Sequence, residues 1–301
     1  MTGPAVSVII ATYNYGTYLR QAVASVQAQS FTDWECLIVD DASTDSTPDL
    51  AATLAATDSR IRYHRNRTNL GEARSRNLGN ARAVGEFLAP LDADDWWHPA
   101  KLERQLAAAH QDSEVALSFT APVLMPAGEP PCQPGYFAAW AADLDRNLRR
   151  ENCIYHSSVL VRRSTVAAVG GYDEALPYAV DWDLWLRILT RFGATAFRLI
   201  DEPLIYYRLH AESLSRRWEV TTRGTRAVAI RHLLRGGWAW RNPRAAWRAL
   251  DEELMREIVA LLSAGQRRRA ARTGRLWLGL CPLRRWRWQK LRQVLASTAA
   301  E

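Results

Sequence analysis

Short apolar runs alternate with amphipathic segments over the first hundred residues, and this alternation limits the available folds more than any other feature. The runs are rich in Val, Ile and Leu, as in strands that are covered on both faces of a parallel sheet. The segments between them repeat apolar residues at helical spacing, for example Leu19, Val23 and Val26. We therefore predict an α/β fold with a doubly wound, mostly parallel sheet. The predicted strands are 6–11, 36–40, 61–65 and 86–91, and the predicted helices between them are 17–29, 47–57 and 71–84.

The rest of the chain divides into a less regular middle and a helical end. The predicted elements of the middle are a helix over 99–110, a Pro-rich loop over 122–134, a strand over 157–162, a helix over 182–189 and a strand over 203–207. From about residue 220 onward the pattern is helical, with breaks at Gly and Pro. We therefore predict an α/β domain over 1–215, followed by a C-terminal helical extension over 216–301.

The predicted extension differs from the domain in its charge. Residues 1–215 contain 19 Lys and Arg against 26 Asp and Glu, whereas 216–301 contain 20 against 6, so the net charges are −7 and +14. Seven of the 13 Trp also lie in the extension. Basic helices that carry Trp favour the headgroup region of anionic membranes. Packing on the domain or on a partner chain explains the pattern equally well. No nucleic-acid partner is expected, since no helix-turn-helix, zinc-ligand or RNP-type pattern occurs.

Composition and spacing also exclude several classes of protein. The four Cys are far apart and form no CxxC pair, which argues against a disulfide scaffold. No stretch approaches the ~20 apolar residues that span a bilayer. The N-terminus shows no basic region and cleavage site of a secretory signal, so we expect a cytoplasmic protein, with peripheral attachment to the inner face of the membrane as a variant. Neither GxGxxG nor GxxxxGK[ST] occurs.

Three carboxylates crowd into four residues directly after the fourth predicted strand. Asp92, Asp94 and Asp95 repel one another, and capping the next helix needs only one of them. A divalent cation relieves such repulsion, and Mg²⁺ or Mn²⁺ binds a few carboxylate oxygens together with phosphate oxygens. The alternative is a solvated, Asp-rich turn that caps the helix. The position after a strand of a doubly wound sheet favours the metal site, because ligands bind at the carboxyl ends of such strands.

Polar residues also follow the first two predicted strands. The run Ala11-Thr-Tyr-Asn14 ends the first strand, and Asp40-Asp41 ends the second. Adjacent strand ends of this kind form a crevice suited to a base and a ribose, and a carboxylate there can accept from a uracil or guanine N–H. Asn14 and Asp41 are therefore candidate nucleotide-binding residues. Alternatively, the acidic pair forms an Asx-type turn with Ser43, and both hold if one Asp caps while the other binds.

An ordered set of motifs extends over roughly residues 5–215. The motifs are Val6-Ser-Val-Ile-Ile-Ala-Thr-Tyr-Asn14, Leu37-Ile-Val-Asp-Asp-Ala-Ser-Thr-Asp-Ser-Thr47, Asn69-Leu-Gly-Glu-Ala-Arg74, Arg76-Asn77, Gly85-Glu-Phe-Leu, Leu91-Asp-Ala-Asp-Asp95, Gly170-Gly-Tyr-Asp-Glu174, Asp181-Trp-Asp-Leu-Trp-Leu-Arg187 and Tyr207-Arg-Leu-His210. Together they resemble the family-2 glycosyltransferases of the GT-A fold. Several ordered motifs at family-like spacing are more specific than any one of them, and the resemblance implies a GT-A-type sheet.

The resemblance also implies roles for individual residues at the nucleotide. Ala11, through its backbone, Tyr13 and Asp41 would hold the base. Arg74 would lie near the ribose or the diphosphate, and Asp92 near the ribose. The donor would be a nucleotide-diphosphate sugar, most simply a UDP-sugar.

The metal site implied by the resemblance draws on two parts of the chain. Asp94 or Asp95 would ligate the cation, and His210 would add a further ligand from a C-terminal loop that closes over the diphosphate. A neutral imidazole suits Mn²⁺ better than Mg²⁺, so Mn²⁺ is favoured.

Asp181 occupies the second position of the family's Glu-Asp pair, whose Asp is the general base. The first position is Val180 here, so the pair is incomplete. Transfer to a hydroxyl needs a carboxylate that takes its proton. The alternative is that Asp181 caps the helix over 182–189, which is compatible with its acting as the base. Asp183 is the second candidate for the base.

The predicted activity is an inverting, metal-dependent transfer of a sugar from a nucleotide donor to a hydroxyl acceptor of a glycan or lipid-linked glycan. A nucleotidyltransferase is one alternative, but it usually needs a Gly-rich, Lys-bearing loop, and Lys occurs only at 101 and 290. The other alternative is a catalytically silent homologue that binds a nucleotide-sugar or forms a scaffold at the membrane. Val180 supports it, because the Glu of the family's Glu-Asp pair is missing there.

Overall fold

The computed structural model describes residues 3–135 and 137–210, together with seven helical positions between 224 and 261. The chain divides into two compact units, of which the first comprises 1–176 with 180–213 and the second 177–179 with 214–301. Nearly all of the predicted extension lies outside the described residues. The assignment of 216–301 as one basic helical extension therefore stays a prediction.

Eight strands of the first unit form one sheet. The strands are β1 (Val6–Thr12), β2 (Trp34–Asp40), β3 (Ile61–Arg65), β4 (Phe87–Pro90), β5 (Trp96–Trp97), β6 (Leu117–Pro126), β7 (Leu160–Arg162) and β8 (Phe197–Leu209). Their order across the sheet is β3-β2-β1-β4-β7-β6-β8-β5. The helices are α1 (Gly16–Gln27), α2 (Thr47–Thr57), α3 (Glu72–Arg82), α4 (Lys101–Gln111), α5 (Phe137–Ala141), α6 (Leu144–Leu148), α7 (Arg163–Ala168) and α8 (Val180–Phe192).

The first four strands form the parallel half of the sheet. β1 pairs in parallel with β2 and β4, and β2 pairs in parallel with β3. Every residue of β2 and all but one of β1 are buried, as the apolar runs require for strands covered on both faces. The buried face of α1 includes Leu19, Val23 and Val26. The predicted α/β fold and its strand–helix alternation are confirmed.

The other four strands mix directions. β7 is antiparallel to both β4 and β6, and β5 is antiparallel to β8, whereas β6 and β8 are parallel. The predicted strand over 203–207 is part of the longer β8, and the predicted helix over 182–189 is the central part of α8. The sheet thus remains mostly parallel, and every antiparallel pair involves β5 or β7.

Two boundaries in the middle of the chain were predicted wrongly. The first five residues of the predicted Pro-rich loop, 122–126, belong to β6 and pair with β8. Pro122 lies at a register shift between these strands, which is a place where a strand tolerates the missing N–H. The strand predicted over 157–162 begins at Leu160, because His156–Ser158 form a 3-10 turn.

Two close contacts in the core fix the helices on the sheet. A Cβ added at Gly79 of α3 would lie 2.5 Å from Ile9 Cγ2, so only glycine allows α3 to approach β1 this closely. The Lys101 side chain at the start of α4 is fully buried, with Nζ 4.1 Å from the Trp97 ring centroid and donating to the Val159 carbonyl at 3.3 Å. Across the part of the chain that the structure describes, no helix is long and apolar enough to cross a membrane.

Candidate active site

The loops that follow β1, β2 and β4 meet at one edge of the sheet. Thr12 and Asp40 are register partners, and the N–H of Asp41 donates to the Thr12 carbonyl at 2.8 Å. After β4, the N–H of Leu91 donates to the Ile9 carbonyl at 2.9 Å. Because the strands are parallel, their carboxyl ends lie side by side, and the polar residues of the three loops share this edge.

Asp40 and Asp41, which follow one another at the end of β2, accept hydrogen bonds from different parts of the chain. Asp40 Oδ1 accepts from the Ser43 N–H at 2.8 Å, and its Oδ2 accepts from the Tyr63 hydroxyl at 2.9 Å. Asp40 therefore forms the Asx-type turn. Burial raises the pKa of Tyr63, and Asp40 raises it further, so Tyr63 remains a hydrogen-bond donor.

Asp41 anchors the loop between β3 and α3. Its Oδ1 accepts from Asn66 Nδ2 and from the Leu70 N–H, and its Oδ2 accepts from the Gly71 N–H, each at 2.8 Å. Asp41 is buried. Three donors fix the orientation of this carboxylate, and a carboxylate has acceptor capacity for about one further donor.

Asn14 joins the loops that follow β1 and β2. Its φ of 59° lies in the left-handed region, which Asn tolerates better than most residues. Its N–H donates to Ser43 Oγ at 2.9 Å, and its Oδ1 accepts from the Thr44 N–H at 2.8 Å. The neighbouring Tyr13 is 44% exposed, and Ala11 is the one residue of β1 that is not fully buried. Tyr13 is thus exposed directly after Thr12, whose carbonyl accepts from the Asp41 N–H.

Asp92 lies between two donors. Its Oδ1 accepts from Arg76 Nη2 at 2.7 Å and from His156 Nδ1 at 2.9 Å. Burial raises the pKa of the Asp92 carboxyl, but His156 and Arg76 outweigh this effect and hold the pKa below its usual value. Asp92 is therefore ionised at neutral pH.

Asp94 contacts the end of β8. Its Oδ2 lies 2.9 Å from His210 Nε2. Burial and the neighbouring Asp92 raise the pKa of Asp94. The His210 ring packs against Tyr18 at a centroid distance of 4.9 Å, and its buried Nδ1 has no hydrogen-bond partner among the described residues. The structure therefore brings together two predicted metal ligands that are 116 residues apart in the chain.

Asp95 is held by the protein on both oxygens. Its Oδ2 accepts from Ser157 Oγ at 2.5 Å, and its Oδ1 accepts from the Arg208 N–H at 3.1 Å. Burial, Asp94 and Asp92 raise the pKa of Asp95 well above its usual value. Of the two predicted ligands in the acidic turn, Asp95 thus has protein donors on both side-chain oxygens.

Asp94 and His210 fit a divalent cation as a partial ligand set. Adjacent ligands of an octahedral metal with bonds near 2.1 Å lie about 3 Å apart, which matches the separation of Asp94 Oδ2 and His210 Nε2. Within residues 3–135 and 137–210, no three His, Cys, Asp or Glu side chains form a complete metal-binding group. Mg²⁺ and Mn²⁺ sites often have one or two carboxylates and are completed by substrate phosphates, so the donor diphosphate would supply the missing ligands.

The two acidic residues at the start of α8 differ in environment. Asp181 is partly exposed, and its Oδ2 accepts from Asn152 Nδ2 at 2.8 Å. Its charge adds to the effect of burial in raising the pKa of Tyr172, so Asp181 lies within electrostatic reach of the Asp92 cluster. Asp183 is fully buried and accepts from Arg187 Nε at 2.8 Å. Asp183 thus has a structural contact, and the assignment of Asp181 as the base stays a prediction.

Arg74 and Arg76, two residues apart in α3, lie in different environments. The predicted Arg74 is more than half exposed, and its Nε lies 3.9 Å from Glu174. Arg76 is buried and pairs with both Glu72 and Asp92 through Nη2. No role was predicted for Arg76, although it lies in a quoted motif.

Sequence reasoning also missed His156, Tyr172 and Asn152. His156 is in a 3-10 turn without a recognisable motif and reaches Asp92 across 64 residues. Tyr172 lies in the Gly170–Glu174 motif, which was the available signal. Asn152 offered none, because its partner Asp181 is defined only by the tertiary structure.

Comparison with known proteins decides the family. The model of Glycosyl transferase family 2 matches residues 7–158. The chain belongs to this family. It is 32% identical over 243 residues to a Bacillus subtilis (strain 168) protein named as a teichuronic acid biosynthesis glycosyltransferase, TuaG, with 79% of this chain and 93% of that protein covered. It is 28% identical to the B. subtilis protein named as glycosyltransferase EpsH, with 73% and 65% covered. The predicted membership is confirmed.

Solved structures share the fold at low sequence identity. The mannosyltransferase PcManGT from Pyrobaculum calidifontis, in complex with GDP-Man and Mn²⁺, aligns with a TM-score of 0.61 at 18% identity, covering 99% of this chain and 86% of that chain. S. aureus TarS 1–349 in complex with UDP-GlcNAc aligns with a TM-score of 0.59 at 17% identity, covering 83% and 80%. The family-2 chain thus has the predicted GT-A-type α/β fold.

Proposed function

We propose that this family-2 glycosyltransferase is an inverting, metal-dependent enzyme that moves a sugar from a UDP-sugar to a hydroxyl acceptor. The observation that carries the proposal is the pairing of Asp94 with His210 at the sheet edge that also holds Asp41 and Asp92. This edge offers a crevice for a base, an ionised carboxylate for a ribose and a partial ligand set for a cation. Binding of GDP-Man with Mn²⁺ by PcManGT and of UDP-GlcNAc by TarS supports a nucleotide-sugar donor here.

The residues divide into donor-side and acceptor-side groups. Tyr13, the Ala11 backbone and Asp41 would hold the base. Asp92 would bind the ribose, and Arg74 would lie near the ribose or the diphosphate. Asn14 would support the base indirectly, through the loops that it joins. A cation held by Asp94 and His210 would neutralise the charge that grows on the leaving diphosphate.

Asp181 would act as the general base on the acceptor side. Its carboxylate takes the proton of the acceptor hydroxyl while that oxygen bonds to the anomeric carbon and the bond to the donor diphosphate breaks. One base and one displacement invert the anomeric centre. The Asn152 amide occupies Oδ2 of Asp181 and so orients the carboxylate.

The names of relatives indicate the biological setting. TuaG is named for teichuronic acid biosynthesis, and another relative for O-antigen biosynthesis. We therefore propose a cell-surface polysaccharide or its lipid-linked precursor as the acceptor. The basic 216–301 segment would dock on the anionic inner face of the membrane, which sedimentation with anionic and neutral vesicles at low and high salt tests.

The donor and the base are tested together. Thermal shift with UDP-Glc, UDP-Gal, UDP-GlcNAc and GDP-Man, with and without Mn²⁺, should show stabilisation by UDP-sugars in the presence of Mn²⁺. Nucleotide release from the best donor then reports turnover. Asp181→Asn should lose about 10²–10⁴-fold in rate while it binds donor and Mn²⁺ normally.

Asp183→Asn provides the matched control. It lies two residues away in the same helix and removes a buried ion pair with Arg187, so it should lower the melting temperature while the rate per folded molecule stays near wild type. An inactive but stable Asp183→Asn beside an active Asp181→Asn would move the base by two residues. Donor binding without any turnover by the wild type would favour the silent homologue that Val180 suggests.

A further inference from the structure

The imidazole of His156 lies at the centre of a buried chain of hydrogen bonds. The residue is in the 3-10 turn that precedes β7 and is 6% exposed. Its Nδ1 lies 2.9 Å from Asp92 Oδ1, and its Nε2 lies 2.9 Å from the Tyr172 hydroxyl. The ring also stacks on Trp185 of α8, with centroids 6.3 Å apart and planes 30° apart. Both ring nitrogens and one ring face are therefore engaged.

The partners of His156 define which nitrogen carries the proton. The Asp92 carboxylate also accepts from the Arg76 guanidinium on the same oxygen, so it is an acceptor toward His156 as well. In a neutral imidazole one nitrogen donates and the other accepts. In the neutral ring, Nδ1–H therefore donates to Asp92, and Nε2 accepts from the Tyr172 hydroxyl.

Tyr172 is itself fixed by α3. Its N–H donates to Asn77 Oδ1 at 2.8 Å, and its carbonyl accepts from Asn77 Nδ2 at 2.9 Å. The preceding Gly171 has φ +71°, and a Cβ there would lie 2.7 Å from Asn77 Oδ1, so the clamp requires glycine. The chain of contacts thus begins on a helix of the parallel half and ends on the Asp92 carboxylate.

The two oxygens of Asp92 are used differently. Oδ1 accepts from both Arg76 and His156, whereas Oδ2 accepts from no described residue. The side chain is 27% exposed. Two donors on one oxygen fix the rotation of the carboxylate and leave the other oxygen for a ligand.

We propose that His156, oriented by Tyr172, is a positioning residue that keeps Asp92 Oδ2 directed at the ribose hydroxyls of the bound donor. This inference rests on the proposed function, which places the nucleotide at this edge. The alternative is that His156 only fills space between Asp92 and Trp185. In that case its hydrogen-bond direction would not matter to ligand binding.

The first experiment needs no ligand. Histidine ¹⁵N NMR of the full chain at pH 8, with His156 assigned from the signal that disappears in His156→Asn, reports the tautomer directly. We expect the proton on Nδ1, with a changed Nε2 shift in Tyr172→Phe. A proton on Nε2 in the wild type would overturn the proposed arrangement.

The second experiment measures the affinity for UDP with Mn²⁺ by calorimetry. His156→Asn keeps a donor near the Nδ1 position and should stay within about 3-fold of wild type. His156→Gln moves the donor to the Nε2 position and should lose about 10–100-fold, the range for residues that orient a ligand-binding group. Tyr172→Phe should lie between them, at about 5-fold.

A control in the same turn separates positioning from packing. Ser158→Ala removes a hydroxyl that contacts the Tyr155 carbonyl and not Asp92, and should leave the affinity unchanged. Equal losses in His156→Asn and His156→Gln, or no loss in either, would overturn the positioning function. A wild type that binds no UDP would instead contradict the proposed donor and the ribose part of this inference, while the NMR result would still decide the hydrogen-bond chain.

Discussion

Carboxylates at the amino ends of the parallel strands have different surroundings from those at the carboxyl ends. We call these two sides of the parallel half the amino edge and the carboxyl edge. At the amino edge, Glu35 Oε1 accepts from Ser7 Oγ at 2.7 Å and from the Val84 N–H at 2.9 Å. Its Oε2 accepts from Arg62 Nη1 at 2.9 Å. This carboxylate is buried, yet the chain itself supplies all of these donors.

Asp58, at the same amino edge, also accepts hydrogen bonds from side chains of the protein. Hydrogen bonds from the Arg60 side chain, together with Gln27, lower the pKa of Asp58 to about 2 in spite of partial burial. At the carboxyl edge, by contrast, burial and neighbouring carboxylates raise the pKa values of Asp94 and Asp95. The amino-edge carboxylates therefore stabilise the fold, whereas Asp94 and Asp95 repel each other, and the cation of the proposed function would relieve this repulsion.

The sharpest test of this contrast is Asp94→Asn. Loss of a carboxylate ligand should weaken binding of UDP in the presence of Mn²⁺ by at least about 10-fold. The melting temperature of the free protein should not fall, because one of the crowded charges has been removed. Calorimetry with and without Mn²⁺ and a thermal melt measure both quantities.

Asp95→Asn serves as the matched variant in the same turn. Asp95 is held by Ser157 and the Arg208 N–H, so we expect a smaller loss of affinity than for Asp94→Asn. Unchanged Mn²⁺-dependent affinity in both variants would refute the placement of the metal in this turn.

Glu35→Gln, at the amino edge, should lower the stability of the protein and leave its affinity for UDP unchanged, which is the reverse of the result expected for Asp94→Asn. It replaces a carboxylate that accepts three hydrogen bonds, so the free energy of unfolding should fall by about 1–2 kcal/mol. UDP affinity should stay at the wild-type value. Urea unfolding and calorimetry measure the two effects, and a variant that lost affinity without losing stability would erase the distinction between the edges.

Asp58→Asn should give the smallest effect and a defined pH dependence. Because the folded-state pKa is lowered, the contribution of Asp58 is present above its unfolded pKa of about 3.9 and is lost as the pH falls through about 2. Arg60 is 39% exposed, so solvent screening limits the contribution to less than about 1 kcal/mol. The difference in urea midpoint between wild type and variant should therefore shrink between pH 5 and pH 2.5, and a constant difference would argue against the ion pair.

The contrast between the halves of the sheet also explains what the sequence could predict. β1 contains the apolar run 8–11 and β2 the apolar run 36–39, and the residues at the carboxyl ends of these strands share an edge in any parallel sheet. The acidic turn after β4 was predicted for the same reason. β5 has two residues and β6 contains Pro, so neither shows a strand pattern that propensity could detect.

Within the site, side-chain partners were the part that sequence could not supply. The sequence left open whether Asp40 or Asp41 forms the turn, and only the contacts with Ser43 and with the Gly71 N–H separate them. Contacts such as His156 with Asp92 join segments far apart in the chain, and no local pattern encodes them.

Because the Lys101 amine is buried, its reaction with an acylating reagent reports how often the core around it opens. The chain has two lysines, and burial lowers the pKa of the Lys101 ammonium well below its usual value. Its fully covered amine can meet a reagent only when α4 separates from Trp97 and Val159. Acylation of Lys101 therefore measures the opening of the core, and peptide mapping separates it from acylation of Lys290, the second lysine of the chain.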